Sequence, residues 1–288
     1  MSSTPSLAQA PALVPGRARP RRRGLPVLSA TLRQSRSLIG AACFYVFIIG
    51  LLIGLIFPAL TAVDLRSYIS NGTVGSLIGV SKLTSSTFSA YLAVELYGSF
   101  FLLLFGGVLA YAAGASIARN IEDGTIDLDL ARPVSRTRLY LEKWAAMLVG
   151  LVMILAVSVV TAWLDTRIFR DASLDWQWFL LGHLDLASML FFVVGVGLLI
   201  SAALSAGRAA GGAATLVVVF GYLAQTFGTA SDRLSFLKYL SPYYYVPAAQ
   251  VIISQQWSGT GKFLVPLGAG LIAALAGLVI FRQRDITP

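Results

Sequence analysis

Apolar residues are unevenly distributed along the chain and gather in long runs separated by short polar stretches. Several of these runs approach 20 residues, about the length that an α-helix needs to cross a bilayer. The pattern therefore predicts an all-α polytopic membrane protein with six transmembrane helices. Their predicted limits are 38–58, 91–117, 144–164, 186–206, 211–229 and 263–281.

The division between the fourth and fifth spans depends on the short stretch "SAGRAAGG" at 205–212. Without a break there, the apolar run would be about twice as long as one span requires. Gly207, Gly211 and Gly212 predict a tight turn within the stretch.

The residues before the first span form an amphipathic pattern. Leu28, Leu32 and Leu38 alternate with Arg33 and Arg36. This pattern favours a short N-terminal amphipathic helix lying in the inner interface, with its leucines in lipid and its arginines at anionic headgroups. The alternative is that these residues simply extend the first span towards the N-terminus.

The stretch 240–257 is apolar, but Pro242 and Pro247 interrupt it. A single clean span is therefore excluded, and two short re-entrant or outer-leaflet helices are predicted before the last span. Tyrosine and tryptophan side chains in this stretch suit headgroup depth. They are Tyr243, Tyr244, Tyr245 and Trp257.

Composition and charge support a membrane protein with both termini in the cytosol. Of the 288 residues, 57% are hydrophobic and 12% are charged, against about 25% charged in soluble domains. The six predicted spans place 15 of the 22 Lys and Arg residues on the side of the N-terminus, which is the bias of cytoplasmic segments. The net charge of +9 thus reflects membrane topology rather than nucleic-acid binding. We expect a disordered basic cytoplasmic tail over 1–25 and the six-span transmembrane domain over 26–288.

The segment 119–143 lies between two apolar runs and carries five positive and five negative charges. Gly124 can end the second span as a left-handed cap, and Thr125 can begin a short helix whose first turn is acidic. Pro133 ends that helix, and Ser135 can cap the next one. The local alternative is a strand, because "TIDLDL" alternates apolar and polar residues, but a lone strand has no partner.

The string "EDGTIDLDLARPVSRTRLYLEK" within this segment resembles the intracellular loop of type-2 ATP-binding-cassette (ABC) exporter permeases. The positions that fit the pattern of that family are Glu122, Gly124, Thr125, Leu128, Pro133, Ser135, Arg136 and Lys143. The six-span layout, the basic amphipathic N-terminal helix and "LKYLSPYYY" before the last span are also similar to the family.

The resemblance implies a cytosolic coupling helix after Gly124 that docks on a separate ABC ATPase subunit. Two ATPase copies and a second permease subunit, identical or paralogous, would complete the assembly in a bacterial plasma membrane. ATP and Mg would bind the ATPase partner and not this chain. The residues expected to contact the ATPase are Glu122, Asp123, Gly124, Thr125, Asp127, Leu128, Leu130, Arg132, Pro133 and Arg136.

The chain is not expected to be an enzyme. The string "SGTGKF" ending at Phe263 fails as a P-loop, because a phenylalanine follows Lys262 where Ser or Thr is needed. The sequence shows neither an "LSGGQ"-like signature nor a catalytic triad. ATP hydrolysis is therefore expected from the partner subunit.

Aromatic residues and one acid in the second and fifth predicted spans are candidates for a substrate pathway. In the resembling family these two spans face each other across the central pathway, which suits a hydrophobic or amphipathic compound such as a drug, antibiotic, lipid or peptide. The alternative is that the aromatic side chains face lipid or the core. The candidates are Glu95, Tyr97, Phe101, Phe105, Phe220, Tyr222 and Gln225.

Two other classes of function compete with an ABC exporter. A proton-coupled secondary transporter would use Glu95 or Asp185 as its proton carrier, since an acid within the membrane is a functional candidate by default. A membrane scaffold would use the cytosolic loop only to recruit a partner.

Overall fold

A computed structural model describes residues 25–60, 87–126, 135–257 and 260–284. Within these ranges all regular elements are helices, and six of them are long and apolar enough to cross a membrane. The predicted all-α polytopic fold and its number of spans are therefore confirmed. The tail predicted over 1–25 lies outside the described residues except for Leu25.

The helices are numbered here in chain order. The six spans are α1 (Pro26–Leu60), α3 (Ser99–Glu122), α4 (Arg136–Ile168), α5 (Trp176–Ala203), α6 (Gly207–Ala230) and α9 (Thr260–Gln283). The shorter helices are α2 (Phe88–Tyr97), α7 (Leu237–Leu240) and α8 (Ala248–Ser254). Two 3-10 turns, Asp232–Leu234 and Pro242–Tyr245, flank α7.

The N-terminal amphipathic segment is not a separate helix. It is continuous with the first span in α1, whose 35 residues measure about 52 Å at about 1.5 Å per residue. No Gly or Pro lies between Val27 and Ile39 to interrupt the helix. The extension of the first span, the alternative that the sequence left open, is thus what the structure shows.

The second predicted span consists of two helices. The helix α2 ends at Gly98, where ψ is 176° and the chain leaves the helical region before α3 begins. The two pieces pack differently: both contact α1, but α2 otherwise packs on α8, whereas α3 packs mainly on α6 and α5. The spacing of apolar residues could not reveal this break, since it continues across Gly98.

The turn between α5 and α6 comes earlier than its glycines suggest. Extended residues from Leu204 to Ala206 make the turn, while Gly211 and Gly212 lie within α6. Gly207 is the first residue of α6, and a Cβ there would lie 2.8 Å from the Arg119 Cα atom of α3. The glycines at 207 and 211 therefore permit close helix packing rather than a turn.

The helix α5 lies at the centre of the bundle and contacts α3, α4, α6 and α9. Its closest approach is to α9, where Gly195 faces the backbone of Gly270. Two glycines four residues apart in the first span, Gly50 and Gly54, face α4 of the same subunit. Small residues thus set the helix spacing inside the bundle, as expected for packing in lipid.

The region before the last span contains the two short helical pieces that the prolines predict. Pro242 begins a 3-10 turn, and Pro247 directly precedes α8. The Ser241 hydroxyl donates a hydrogen bond to the Gly221 carbonyl at 2.7 Å, which fixes this region against α6. Its depth in the bilayer stays a prediction.

Candidate functional site

The charged segment 119–143 leaves α3 through a left-handed glycine. Gly124 has a φ of +64°, and its amide donates to the Ile121 carbonyl at 3.2 Å. The predicted left-handed end of this span is confirmed. The Thr125 hydroxyl donates to the Asn120 carbonyl at 3.3 Å. Five predicted contact residues lie outside the described residues: Asp127, Leu128, Leu130, Arg132 and Pro133.

The last residue of α3 bonds to the first residue of α6. The Glu122 carboxylate accepts a hydrogen bond from the Gly207 amide at 2.7 Å. This amide is among the first four of α6, which have no partner within the helix. An anionic group at a helix N-terminus is also favoured by the helix dipole, so Glu122 joins the flank of the segment to the fifth span.

The other flank begins as predicted, with Ser135 capping α4 by accepting from the Arg138 amide at 3.2 Å. Arg136, the first residue of α4, reaches the end of the last span. Its guanidinium donates to the carbonyls of Arg284 at 2.5 Å and Arg282 at 3.4 Å. A cation at the carbonyl end of a helix is favourable for the same electrostatic reason.

The buried carboxylate of Glu142 holds the start of α1. It accepts from the amides of Val27 at 2.9 Å and Leu28 at 3.0 Å. Its other oxygen accepts from the Arg138 guanidinium at 2.8 Å. Only 4% of Glu142 is exposed, so its charge depends on these partners for compensation. The N-terminus of the first span is therefore fixed to the third.

Arg284, just beyond α9, binds the end of α5. Its guanidinium donates to the carbonyls of Ala202 and Leu204, both at 2.9 Å, and to the Ser205 hydroxyl at 2.5 Å. Arg284 therefore extends the contact of Arg136 to the fourth span.

We call Glu122, Arg136, Glu142 and Arg284 the helix-end contacts. Each acid binds the N-terminus of a neighbouring helix, and each arginine binds the C-terminus of a neighbouring helix. Through them the flanks of the segment 119–143 reach α1, α6 and α9 directly, and α5 by way of Arg284. Glu122 and Arg136 were predicted as site residues from the sequence, whereas Glu142 and Arg284 were missed. The signal that could have identified them is a charge beside the predicted end of a span.

A buried lysine connects the two helices that carry the segment. Lys143 of α4 is 1% exposed, and its ammonium group donates to the Ser116 carbonyl of α3 at 2.6 Å. Ser201 of α5 accepts from the amides of Ile117 and Ala118, the next two residues of α3. These contacts fix α3, α4 and α5 to one another near the inner end of the bundle.

The structure separates the predicted pathway residues of the second span. Phe101 and Phe105 are 2% and 1% exposed, and their ring centroids lie 4.3 Å apart inside the subunit. Glu95 is exposed on α2, and Tyr97 is the last residue of that helix. The two phenylalanines therefore belong to the subunit core, away from the exposed surface that carries Glu95.

The predicted pathway residues of the fifth span also point in different directions. Phe220 is 59% exposed and faces out of the subunit. Tyr222 packs edge-on against Tyr243 with ring centroids 6.2 Å apart. The side-chain oxygen of Gln225 is buried without a hydrogen-bond partner among the described residues. Burial raises the pKa of the Tyr243 hydroxyl, and the neighbouring Tyr222 raises it further, so Tyr243 stays neutral at physiological pH.

Comparison with known proteins gives the family. A search of curated proteins finds no match for the chain. A family model described as ABC-2 family transporter protein matches residues 28–286, which cover the six spans apart from the first two residues of α1, and both flanks of the segment 119–143. The chain therefore belongs to the ABC-2 transporter family, and it is a membrane-spanning permease subunit of an ABC transporter.

Proposed function

We propose that this permease exports a hydrophobic or amphipathic compound from the cytoplasm, driven by ATP hydrolysis on a separate ATPase subunit. The observation that carries the proposal is the set of helix-end contacts. A force applied to the segment 119–143 is passed by hydrogen bonds to the ends of four other spans. Closure of an ATPase dimer beneath that segment would therefore move the bundle.

The functional transporter is proposed to contain two permease subunits and two ATPase subunits. The fifth span offers a surface for a second permease, because apolar side chains spaced four, three and four residues apart face out of the subunit. This spacing forms one helical stripe. Its residues are Leu216, Phe220, Leu223 and Phe227, which are 67%, 59%, 41% and 51% exposed.

The substrate pathway is proposed to lie along this surface, with Phe220 in direct contact with the compound. Tyr222 and Gln225 would act from behind it, since Tyr222 packs against Tyr243 and the side-chain oxygen of Gln225 is buried. Phe101 and Phe105 would shape the pathway from the core, by fixing the position of α3. Aromatic walls with few polar groups suit flat apolar compounds.

Docking of the ATPase can be tested by co-purification. Leu128→Arg introduces a charge into the proposed coupling helix and should abolish co-purification of the ATPase while the permease still inserts. Leu234→Arg is the matched control, because Leu234 is exposed at the opposite end of the bundle. Retention of the ATPase by Leu128→Arg would contradict the proposal.

The energy source can be tested in inside-out vesicles that contain permease and ATPase, with ethidium as the probe. Uptake should require hydrolysable ATP and should persist when a protonophore collapses the proton gradient. Glu95→Gln should leave this uptake within about twofold of the original. Uptake driven by a proton gradient alone, and lost in Glu95→Gln, would instead establish the proton-coupled transporter.

A further inference from the structure

A half-open pocket with both polar and apolar lining lies between α1 and α3. Its volume is about 180 Å³, equivalent to about six water molecules at about 30 Å³ each. This space accommodates a phosphate group with a small polar substituent. The pocket is lined by Gln34, Ser35, Ser37, Leu38, Tyr111, Ala112, Ala115, Ser116 and Arg119.

The pocket lies where both helices pass from the hydrocarbon into the headgroup region. On α1 the last charged residue is Arg36, and the sequence that follows is uncharged up to Asp64. On α3 the uncharged stretch after Glu95 ends at Arg119. Since charged side chains mark the edges of the hydrocarbon layer, the pocket is at the level of inner-leaflet phosphates.

Four polar side chains around the pocket are available to a ligand. Among the described residues, no hydrogen bond joins the side chains of Gln34, Ser35, Ser37 or Tyr111 to a protein partner. The ring of Tyr111 packs closely against Gly211 of α6, where an added Cβ would lie 2.8 Å from the ring carbon Cδ2. This contact holds the tyrosine side chain in place. The pocket therefore presents one donor on a packed ring, Tyr111, and three further polar side chains that are exposed or half-buried.

The electrostatic environment of the pocket favours an anion. Arg119 lines it, and the nearest acid, Asp123, is only loosely paired with Arg119 at 3.7 Å. Behind the wall, the Lys143 ammonium group binds the carbonyl of the lining residue Ser116. Arg36 is exposed on the same turn of α1 as the lining residues. Two other acids lie in this region: Glu122 accepts from the Gly207 amide, and Glu142 is bonded to Arg138 and the start of α1.

We propose that this pocket binds the phosphate headgroup of an anionic phospholipid from the inner leaflet. Arg119 would pair with the phosphate, and the Tyr111 and serine hydroxyls would donate to its oxygens. Gln34 and the remaining hydroxyl oxygens would accept from a hydroxyl-bearing substituent such as glycerol. The acyl chains would leave along the apolar surface beside Leu38.

The proposal can be tested by native mass spectrometry of the detergent-purified full chain, titrated with dioctanoyl phosphatidylglycerol or dioctanoyl phosphatidylcholine. The protein should bind the first lipid about tenfold more tightly. The double variant Arg119→Gln/Tyr111→Phe should lose this preference, because it removes the cation and one donor but keeps the ring that packs on Gly211. Arg282→Gln, which removes an exposed cation at the inner end of α9, should retain it.

Equal binding of the two lipids by the unaltered protein would overturn the proposal. So would a double variant that keeps the preference at an unchanged melting temperature, or a control variant that loses it. Displacement of phosphatidylglycerol by an equal concentration of inorganic phosphate would identify a site for free phosphate instead of lipid. None of these measurements involves the ATPase, so their result is independent of the proposed export function.

Discussion

At the scale of single residues, the inner end of the bundle depends on charges whose sign matches the helix end they contact. Glu122 and Glu142 accept from amides at the starts of α6 and α1, and Arg136 and Arg284 donate to carbonyls at the ends of α9 and α5. Each contact satisfies groups that a helix leaves unpaired at its termini. Single substitutions there should therefore affect the connection between two spans.

Glu142→Gln should lower the free energy of unfolding by about 1.5–3 kcal/mol, the range for buried hydrogen bonds to a charged group. The amide side chain keeps the shape of glutamate but weakens the bonds to the start of α1 and to Arg138. Asp123→Asn is the control, because its exposed pair with Arg119 at 3.7 Å should contribute less than about 1 kcal/mol. Thermal unfolding in detergent measures both; equal melting temperatures would refute the role of Glu142.

Gly124→Val should destabilise the end of α3 by about 1–2 kcal/mol, because a β-branched residue is strained at positive φ. Space is not the limit here, since nothing lies within 4 Å of a Cβ built on Gly124. Gly124→Asn should cost clearly less, because asparagine tolerates the left-handed region. Similar melting temperatures for both variants would show that backbone conformation is unimportant at this position.

The sequence allowed some of these residues to be predicted and not others. Gly124 and Ser135 were predictable because each obeys a local rule for the end or start of a helix. The partners of Glu122 and Glu142 were not, since Gly207 and Val27 lie 85 and 115 residues away. Contacts at such separations arise from the packing of whole spans, which apolar periodicity does not specify.

At the scale of helices, glycines set how closely the spans approach. A Cβ at Gly270 on α9 would lie 2.6 Å from the Phe192 Cα atom of α5, whereas nothing lies within 4 Å of one at Gly268. The two glycines are two residues apart on one helix, so they offer a matched comparison of a packed face and an open one.

Gly270→Ala should lower the melting temperature, because α5 and α9 must separate to admit the methyl group; overpacking costs about 1–3 kcal/mol. Gly268→Ala should be neutral or slightly stabilising, because alanine favours helix over glycine. Thermal unfolding of the two purified variants tests the difference. A Gly270→Ala variant as stable as Gly268→Ala would show that α5 and α9 do not cross this closely.

Helix existence was predictable from the sequence, whereas helix boundaries were not. Runs of apolar residues located all six spans, because the bilayer fixes their length. The break at Gly98 and the continuity of α1 depend on which neighbours the segments contact. Proline was a partial guide: Pro242 and Pro247 divide the region before the last span as their chemistry requires, but Pro58 and Pro266 lie inside α1 and α9.

At the scale of the whole molecule, charge asymmetry determines orientation, and this predicts which loops face the cytosol. The turn at Ser205 should be cytosolic, and Asp232, beyond the other end of α6, should be external. In a Cys43→Ser background, which removes the single cysteine, Asp232→Cys should react with a membrane-impermeant maleimide in intact cells. Ser205→Cys should react only after the membrane is opened. The reverse labelling pattern would show that the orientation is opposite to the predicted one. The segment 119–143 would then be external and could not bind a cytosolic ATPase.

The length of α1 and α4 has a consequence for any protein that binds between Glu122 and Ser135. Charged side chains mark the edges of the hydrocarbon layer, so we expect Arg36 on α1 and Lys143 on α4 at its edge. The residues before them would then extend about 12 to 16 Å beyond that layer at about 1.5 Å per residue. The hydrogen bond between Glu142 and Val27 holds these ends of α1 and α4 together. We therefore expect a soluble subunit bound to these helix ends to lie clear of the lipid headgroups. A thinner bilayer would expose more of both helices and would leave the surface that binds this subunit unchanged.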